Sequence, residues 1–386
     1  MTSATPPSRL DRFLAAQQSL YGPNLYSIPD PQTWTPPPNS GGHKGRYLWT
    51  DAFGVLNFIT LHRETSRHND DNNNNNPYLT LARRLVHTVH DILGRTRNTN
   101  NPTRLPGATE TNPLGGGLRI GKQEEHGPDG DGQYHHYLTL WMFALNRLSL
   151  ATGDAAYNHQ AVSLARAIHP KFVLHRESAR PRMVWKMAAD LSRPLVSSEG
   201  NLDPLDGFVV FRLLQAAEGQ AGGRPVLEDE IEDYRRVMAR KGSHFVSSDP
   251  LDLGMSMWTA HWFVEKEAWA TRLAEQCFEQ IYELFELDNY LNRSIQRRLA
   301  FREFGTGLGL QCMAGQSSEK DRAVDLTKYA QAILDAWNPY MRVSSESSTT
   351  PEDLRPITRV MYAAALIPGA FQRGYLGQEP SGLPEQ

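Results

Sequence analysis

The densest run of reactive side chains lies between Gly115 and Tyr137, where His126, Asp129, Asp131, Tyr134, His135 and His136 follow one another among glycines. Carboxylates and imidazoles grouped in this way can move protons, hold a metal or grip a phosphate, and spacing separates the three. Gly116 to Lys122 has the spacing of a phosphate-binding loop, but Gln123 stands where a hydroxyl is needed, and no strand pattern precedes it. Asp129-Gly130-Asp131-Gly132 opens like a calcium loop, yet its twelfth position is Leu140 rather than Glu. His135 and His136 are neighbours, so on a helix they point about 100° apart and cannot ligate one metal. The segment reads as a rigid Gly-rich loop bringing His126, Asp129 and Asp131 to a helix start. Asp131 there is either a cap or an acid.

Three further sets put acids beside aromatics. Trp185, Lys186, Asp190 and Arg193 precede Asp203 and Asp206, as a pocket wall would, although Lys186 or Arg193 pairing with Asp190 is the plainer alternative. Arg302 and Glu303 follow Phe301 and precede Gly305, Gly307 and Gly309. Each glycine within a helix costs about 1 kcal/mol against alanine, so three imply close backbone packing or cavity space, with Arg302 and Glu303 facing inward. Trp49 and Asp51 open another helix. Four helix starts therefore present the same pairing: Trp49/Asp51, Asp131/Tyr134, Asp206/Phe208 and Glu303/Phe301. One instance is an N-cap; four suggest inner helices whose N-terminal ends surround one mouth. Aromatic walls with a few carboxylates suit a neutral, hydroxylated or polycyclic ligand.

Composition narrows the partners. Among 386 residues, 40 basic and 43 acidic side chains are mixed throughout, for a net charge of −3, so no basic stripe marks a nucleic-acid partner. The apolar share of 39% with 22% charged is that of a folded protein. Cys277 and Cys312 are the only cysteines, which excludes a disulfide framework and leaves a cysteine zinc site without ligands. No cofactor or metal is expected. No apolar run reaches the length of a signal peptide core or a membrane span, so the expectation is a cytoplasmic protein that acts on a small molecule, off the membrane.

The elements that must hold these residues are helices. Periodicity predicts them near 10–20, 50–63, 78–94, 132–151, 155–169, 205–218, 227–240, 252–266, 268–286, 298–314, 320–336 and 354–367. Tyr137, Trp141, Leu145 and Leu148 recur at intervals of four or three, and Thr152-Gly153-Asp154 then stops that helix. No period-2 strand series appears, and Asn72 to Asn76 reads as a loop insertion. Connections alternate: 152–154 and the break near Glu267 are short, whereas 95–131 and 170–204 are long, as in antiparallel hairpins with the long links gathered at one end. Asp203-Pro204-Leu205-Asp206 returns as Asp249-Pro250-Leu251-Asp252, 46 residues on, about one hairpin of a repeat array. Asp caps a helix and Pro suits its first turn, which explains the repeat as capping. The expectation is an all-α ring of six hairpins over 46–370, with residues 1–45 packed on it and 371–386 as a tail.

The hairpin count and the run from Gly132 to Asp154 resemble the six-hairpin glycosidase-like (α/α)6 toroids, over residues 45–367. Arg119-Ile-Gly-Lys122, Asp131-Gly-Gln-Tyr-His-His-Tyr137, Lys186 to Pro194 and Asp203 to Gly207 are similar to a poorly characterised group among them. The resemblance implies the fold and an enzyme. The catalytic acids of the glycoside hydrolases, epimerases and lyases of that superfamily find no residue-by-residue match. Two activities stay open, beside a non-catalytic binding protein. A carbohydrate hydrolase or isomerase would use paired carboxylates, Asp131 and Asp206 with Asp129 or Glu303 as substitutes, set roughly 5–9.5 Å apart. A cofactor-free cyclase or pericyclase of secondary metabolism would fold an apolar terpenoid or polyketide against Trp49, Tyr134, Trp141 and Trp185. Lys186, Arg193, His136 or Arg302 would then polarise it.

Overall fold

From Leu138 to Ser149 every residue is buried, whereas between Tyr78 and Leu93 burial recurs at Leu81, Leu85, Val89 and Leu93. A helix buried all round belongs to an inner layer, and one with a single apolar stripe covers it from outside. The structure, a computed structural model, describes residues 7–43, 45–68, 76–98, 100–127, 129–220, 225–242, 245–264, 266–341, 354–380 and 383. Among them are twelve α-helices: α1 (Arg9–Tyr21), α2 (Leu48–His68), α3 (Tyr78–Leu93), α4 (His135–Thr152), α5 (Ala156–Phe172), α6 (Asp203–Gln220), α7 (Glu228–Lys241), α8 (Pro250–Ala260), α9 (Ala268–Tyr282), α10 (Ala300–Ala314), α11 (Lys320–Trp337) and α12 (Arg355–Leu366). The Asn-rich insertion, Asn76 apart, lies outside the described residues.

The even-numbered helices form the inner ring, each touching the next, with α12 returning to α2. The outer helices α3, α5, α7, α9 and α11 each pack on the inner helix before them, and α1 packs on α12 to complete the sixth hairpin. The α8–α10 contact is made backbone to backbone: a Cβ on Gly254 would strike the Gly305 carbonyl, and one on Gly309 would strike that of Gly254. Gly307 instead turns toward Ala365 of α12. Helix α8 is shorter than its periodicity predicts, because the His261 ring takes the Trp258 carbonyl that a further helical turn would use.

Two long links lace the N-terminal ends of the inner helices together. Leu48 N–H donates to Ile120 O at 3.0 Å, Ile120 N–H to Gly132 O at 2.8 Å, and His135 N–H to Trp185 O at 3.1 Å. Gln133-Tyr134 pairs antiparallel with Lys186-Met187, and Val173-Leu174 with Arg182-Met183; these two-residue ribbons are the only sheets among the described residues. Gly121 has φ +88°, and a Cβ there would meet the Arg46 carbonyl, so the link can lie flat under the start of α2 only with glycine. The opposite end of the ring is closed by residues after α12. Phe371 packs between Phe53, Phe143 and Trp258, its carbonyl accepts from Trp258 Nε1 at 3.1 Å, and Glu379 holds buried Arg147 at 2.9 Å. No helix among the described residues is long and apolar enough to cross a membrane.

Candidate functional site

A cavity of about 260 Å³ opens at the laced end. Its wall takes Tyr47, Trp49 and Thr50 from the start of α2, His136 and Tyr137 from α4, Leu251 from α8, Phe301 and Arg302 from α10, and Leu354 and Ile357 from α12, with His43 and Lys122 from the links. Five inner helices therefore bring their N-terminal turns, with their partial positive charge, to one mouth. In the hexagon of inner helices α4 stands opposite α10, so His136 and Arg302 face each other. The arc through α6 and α8 between them carries carboxylates, and the arc through α12 and α2 carries Leu354, Ile357 and Trp49.

His136 is the centre of the polar arc. Its ring lies 4.6 Å from that of Trp49, centroid to centroid, and its Nδ1 is 2.5 Å from Asp206 Oδ2. Asp206 is buried at the start of α6, and its other oxygen accepts from Thr259 Oγ1 at 3.1 Å. The His136 backbone N–H donates to Asp203 Oδ1 at 3.1 Å. Nδ1 is thus spoken for, and Nε2 makes no hydrogen bond among the described residues, on a side chain 23% exposed in the cavity wall. Burial opposes its charged form, but the carboxylates of Asp206, Asp203 and Asp252 outweigh it and hold the imidazole above its usual pKa. Asp252, in the first turn of α8, is pushed up by burial and by the neighbouring Asp249 charge, while His136, Arg302 and Asn201 pull it down. Arg302 is paired through Nη1 with Asp249, which also caps α8.

The two copies of Asp-Pro-Leu-Asp therefore do more than cap. Asp249 keeps that role, accepting from the N–H groups of Leu251 and Asp252, whereas Asp203 reaches across to α4. The fourth residue of each copy, Asp206 and Asp252, supplies the charge that surrounds His136. His135 diverges from its neighbour, as adjacent helix positions must: buried, it lies 2.6 Å from Tyr234 Oη and 3.5 Å from Asp203.

An aromatic strip continues from the cavity along the rim. Tyr137 touches Trp49 (5.2 Å), Tyr47 (5.5 Å) and Tyr134 (5.2 Å), and Tyr134 meets Trp185 edge-on at 5.1 Å. Lys186 is buried beneath the strip with its ammonium 5.1 Å from the Tyr134 ring centroid, and burial lowers its pKa. Tyr134, Trp185 and Lys186 thus adjoin the cavity without lining it.

Other expected site residues lie elsewhere. Asp131 is buried, with Oδ2 2.5 Å from Arg119 and 2.8 Å from Arg97, and Oδ1 accepting from the N–H groups of Gly121 and Gly132 at 3.0 Å. It fastens the link rather than facing the cavity. Glu303 turns away from Arg302 into the outer layer, where Arg298 holds both of its oxygens, at 2.7 and 2.5 Å, and Trp337 Nε1 donates to one. Asp51 faces α1 and the Pro-rich coil, 3.2 Å from Arg46, and burial lifts its pKa to about 6. Trp141 is sealed in the core with Nε1 on His90. His126, Asp129 and Arg193 are exposed, Asp129 standing 3.9 Å from Lys122. Tyr47, Tyr137, Lys122 and Asp252 carry weight that the sequence did not assign, and only the repeated tetrapeptide signalled Asp252. Among the described residues no three His, Cys, Asp or Glu side chains are grouped to hold a metal.

No protein-family model and no curated protein matches the chain. Among solved structures, a family 76 glycoside hydrolase from a bovine Bacteroides thetaiotaomicron strain is similar with a TM-score of 0.57 at 13% identity, over 94% of this chain and 78% of that one. A sugar epimerase from a ruminal bacterium is similar with a TM-score of 0.48 at 11% identity, over 92% of this chain and 98% of that one. With the closed ring of hairpins, the first likeness establishes that the chain has the six-hairpin glycosidase-like (α/α)6 toroid fold.

Proposed function

We propose that the protein is a carbohydrate-transforming enzyme, a hydrolase or isomerase, whose proton-transfer group is the His136–Asp206 pair with Asp252 as the second acid. The observation that carries this reading is His136 itself: Nδ1 bound to a buried carboxylate, Nε2 without a hydrogen bond among the described residues, and the ring set in the cavity wall. A cavity of about 260 Å³ is below the roughly 300–1,000 Å³ of pockets for drug-sized ligands, so it suits one ring. A sugar ring has hydroxyls on its edge and C–H groups on its faces, which match a polar arc opposite an aromatic one. The His136 and Arg302 side chains on the wall fit an apolar polyene poorly, because its entry would strip them of water without replacing it.

In this reading the imidazolium, kept charged by Asp206, gives its Nε2 proton to an oxygen of the sugar. Asp252, next to the lining Leu251 but not itself in the wall, takes a proton by way of a water molecule, from the attacking water in hydrolysis or from carbon in isomerisation. Incubation with a panel of mono- and disaccharides in D2O, followed by proton NMR, distinguishes the two. Released sugar marks hydrolysis, and deuterium on the carbon beside a carbonyl marks isomerisation. His136→Ala should slow either by about 10²–10⁴-fold, the usual worth of a positioned acid or base. Turnover unchanged in that variant, or no sugar transformed by the native protein, would sink the proposal.

A further inference from the structure

Among the described residues, the charged groups on the cavity wall all have the same sign. Arg302, Lys122 and His136 line it, and no described carboxylate does; Asp206 pairs with His136 and Asp249 with Arg302 without being part of the lining. Arg302 gives Nη1 to Asp249, while its Nε is buried without a partner and Nη2 makes no hydrogen bond among the described residues. The Nε–Nη2 side is the pair of parallel donors that matches two oxygens of a carboxylate or phosphate. His136 keeps Nε2. Lys122 is 3.9 Å from Asp129, whose side chain is 97% exposed, and so surface-screened a pair competes weakly for the ammonium. Five helix N-terminal ends add to the same potential.

We infer that the ligand of this cavity is an anionic sugar, one carrying a carboxylate or a phosphate, with Arg302 and Lys122 receiving the charged group opposite His136. This rests on the sugar reading above and narrows it. A neutral sugar would leave the Arg302 guanidinium and the Lys122 ammonium of the wall without an anion, whereas an acidic group satisfies both and sets the ring so that a different edge meets His136.

The test is calorimetric binding to the intact protein near neutral pH, with glucose, glucuronate, glucose 6-phosphate, acetate and inorganic phosphate as probes. The expected result is an affinity about tenfold or more above glucose for at least one charged sugar. The preference should shrink in 0.5 M salt and disappear in both Lys122→Gln and Arg302→Gln, while residual binding of glucose persists. Glucuronate against glucose 6-phosphate identifies which acidic group is taken. Glucose bound as tightly as both charged sugars, or a preference that survives both substitutions, overturns the inference and leaves the sugar reading standing. Acetate or phosphate bound as tightly as the charged sugars keeps the anion site and removes the sugar. No heat with any anion overturns the inference outright. Arg302→Gln leaves Asp249 short of a partner and can lose stability; Lys122→Gln, on a link with a mostly solvated ion pair, provides the second measurement.

Discussion

Two kinds of acidic cluster sit within one rim of this ring, built from the same residue types. At Asp131 and Glu303 every carboxylate oxygen is held, by arginine, by backbone N–H or by Trp337, and the side chains are sealed from solvent. At Asp206 the carboxylate is equally buried, but its partner is an imidazole that borders the cavity with one nitrogen unbonded. The difference lies in what completes the partner's valence. An arginine enclosed by carboxylate and carbonyls ends the network, whereas His136 passes it on to whatever occupies the cavity. Acid beside aromatic at a helix start does not separate the two; the identity and exposure of the second partner does.

Functional substitution gives the largest expected separation. His136→Ala and Asp206→Asn should each lower turnover about 10²–10⁴-fold with the fold intact. Asp131→Asn should leave turnover per folded molecule unchanged. Steady-state rates corrected for folded fraction decide this, and a rate loss for Asp131→Asn as deep as that for Asp206→Asn would dissolve the contrast.

Stability should show the reverse. Glu303→Gln leaves the Arg298 charge buried without its counterion, a change that costs about 3–5 kcal/mol. Urea unfolding measures it, and a loss under about 1 kcal/mol would mean that this pair is not the sealed kind.

Asp51 is an intermediate case and sharpens the comparison. It is fully buried, with Arg46 on one oxygen and no hydrogen bond to the other among the described residues, and burial lifts its pKa to about 6. Because the folded state holds this proton more tightly than the unfolded chain, stability from this group is present at about pH 4 and lost as pH rises through 6, by up to roughly 3 kcal/mol. Asp51→Asn leaves Arg46 without its counterion but is blind to this ionisation, so its stability relative to the native protein should rise between pH 4 and pH 7. Melting temperatures at the two pH values check the sign.

The smallest effect is spectroscopic. His136 should titrate above the ordinary histidine value, and Asp206→Asn should bring it down, because one of the charges that hold it up is gone. Stability gained from this ionisation is full below about pH 6.5 and fades as pH rises through the elevated value. An NMR titration that finds His136 at or below the free-histidine value in the native protein contradicts the carboxylate environment described for it.

Element identity was written in the sequence far more clearly than facing direction. Twelve helices and the ring followed from periodicity, from stops such as Gly153 in the left-handed region, and from the alternation of short and long links. Of the expected site residues, Trp49, His136 and Arg302 line the cavity, whereas Asp131, Tyr134, Trp185, Lys186 and Asp206 do not. What the sequence could not show is which way each acid points. The inner helices are apolar on nearly every face, so no stripe marks the inward side, and Asp51, Glu303 and Trp141 could be assigned to any direction. The outer helices lack that ambiguity, as the single stripe of α3 illustrates. Partner choice is equally hidden: the arginines that silence Asp131 lie 12 and 34 positions away, and nothing local distinguishes them from solvent-facing cations.

The sixth hairpin joins α1 to α12, with Arg9 reaching Gln331 of α11 across 322 positions and Arg12 reaching Asn338 across 326. Five hairpins can form from neighbouring stretches of chain, but this one requires a loop of nearly the whole polypeptide to close, and until it does α1 and the edges of α2 and α10 have no cover. Closing so long a loop is slow for its entropy, although the cost grows only with the logarithm of its length. During synthesis α1 is therefore made well before α12 and waits for it to find its place. A ribosome-bound chain stopped before Arg355 should hold a protease-sensitive first helix beside hairpins that already resist digestion.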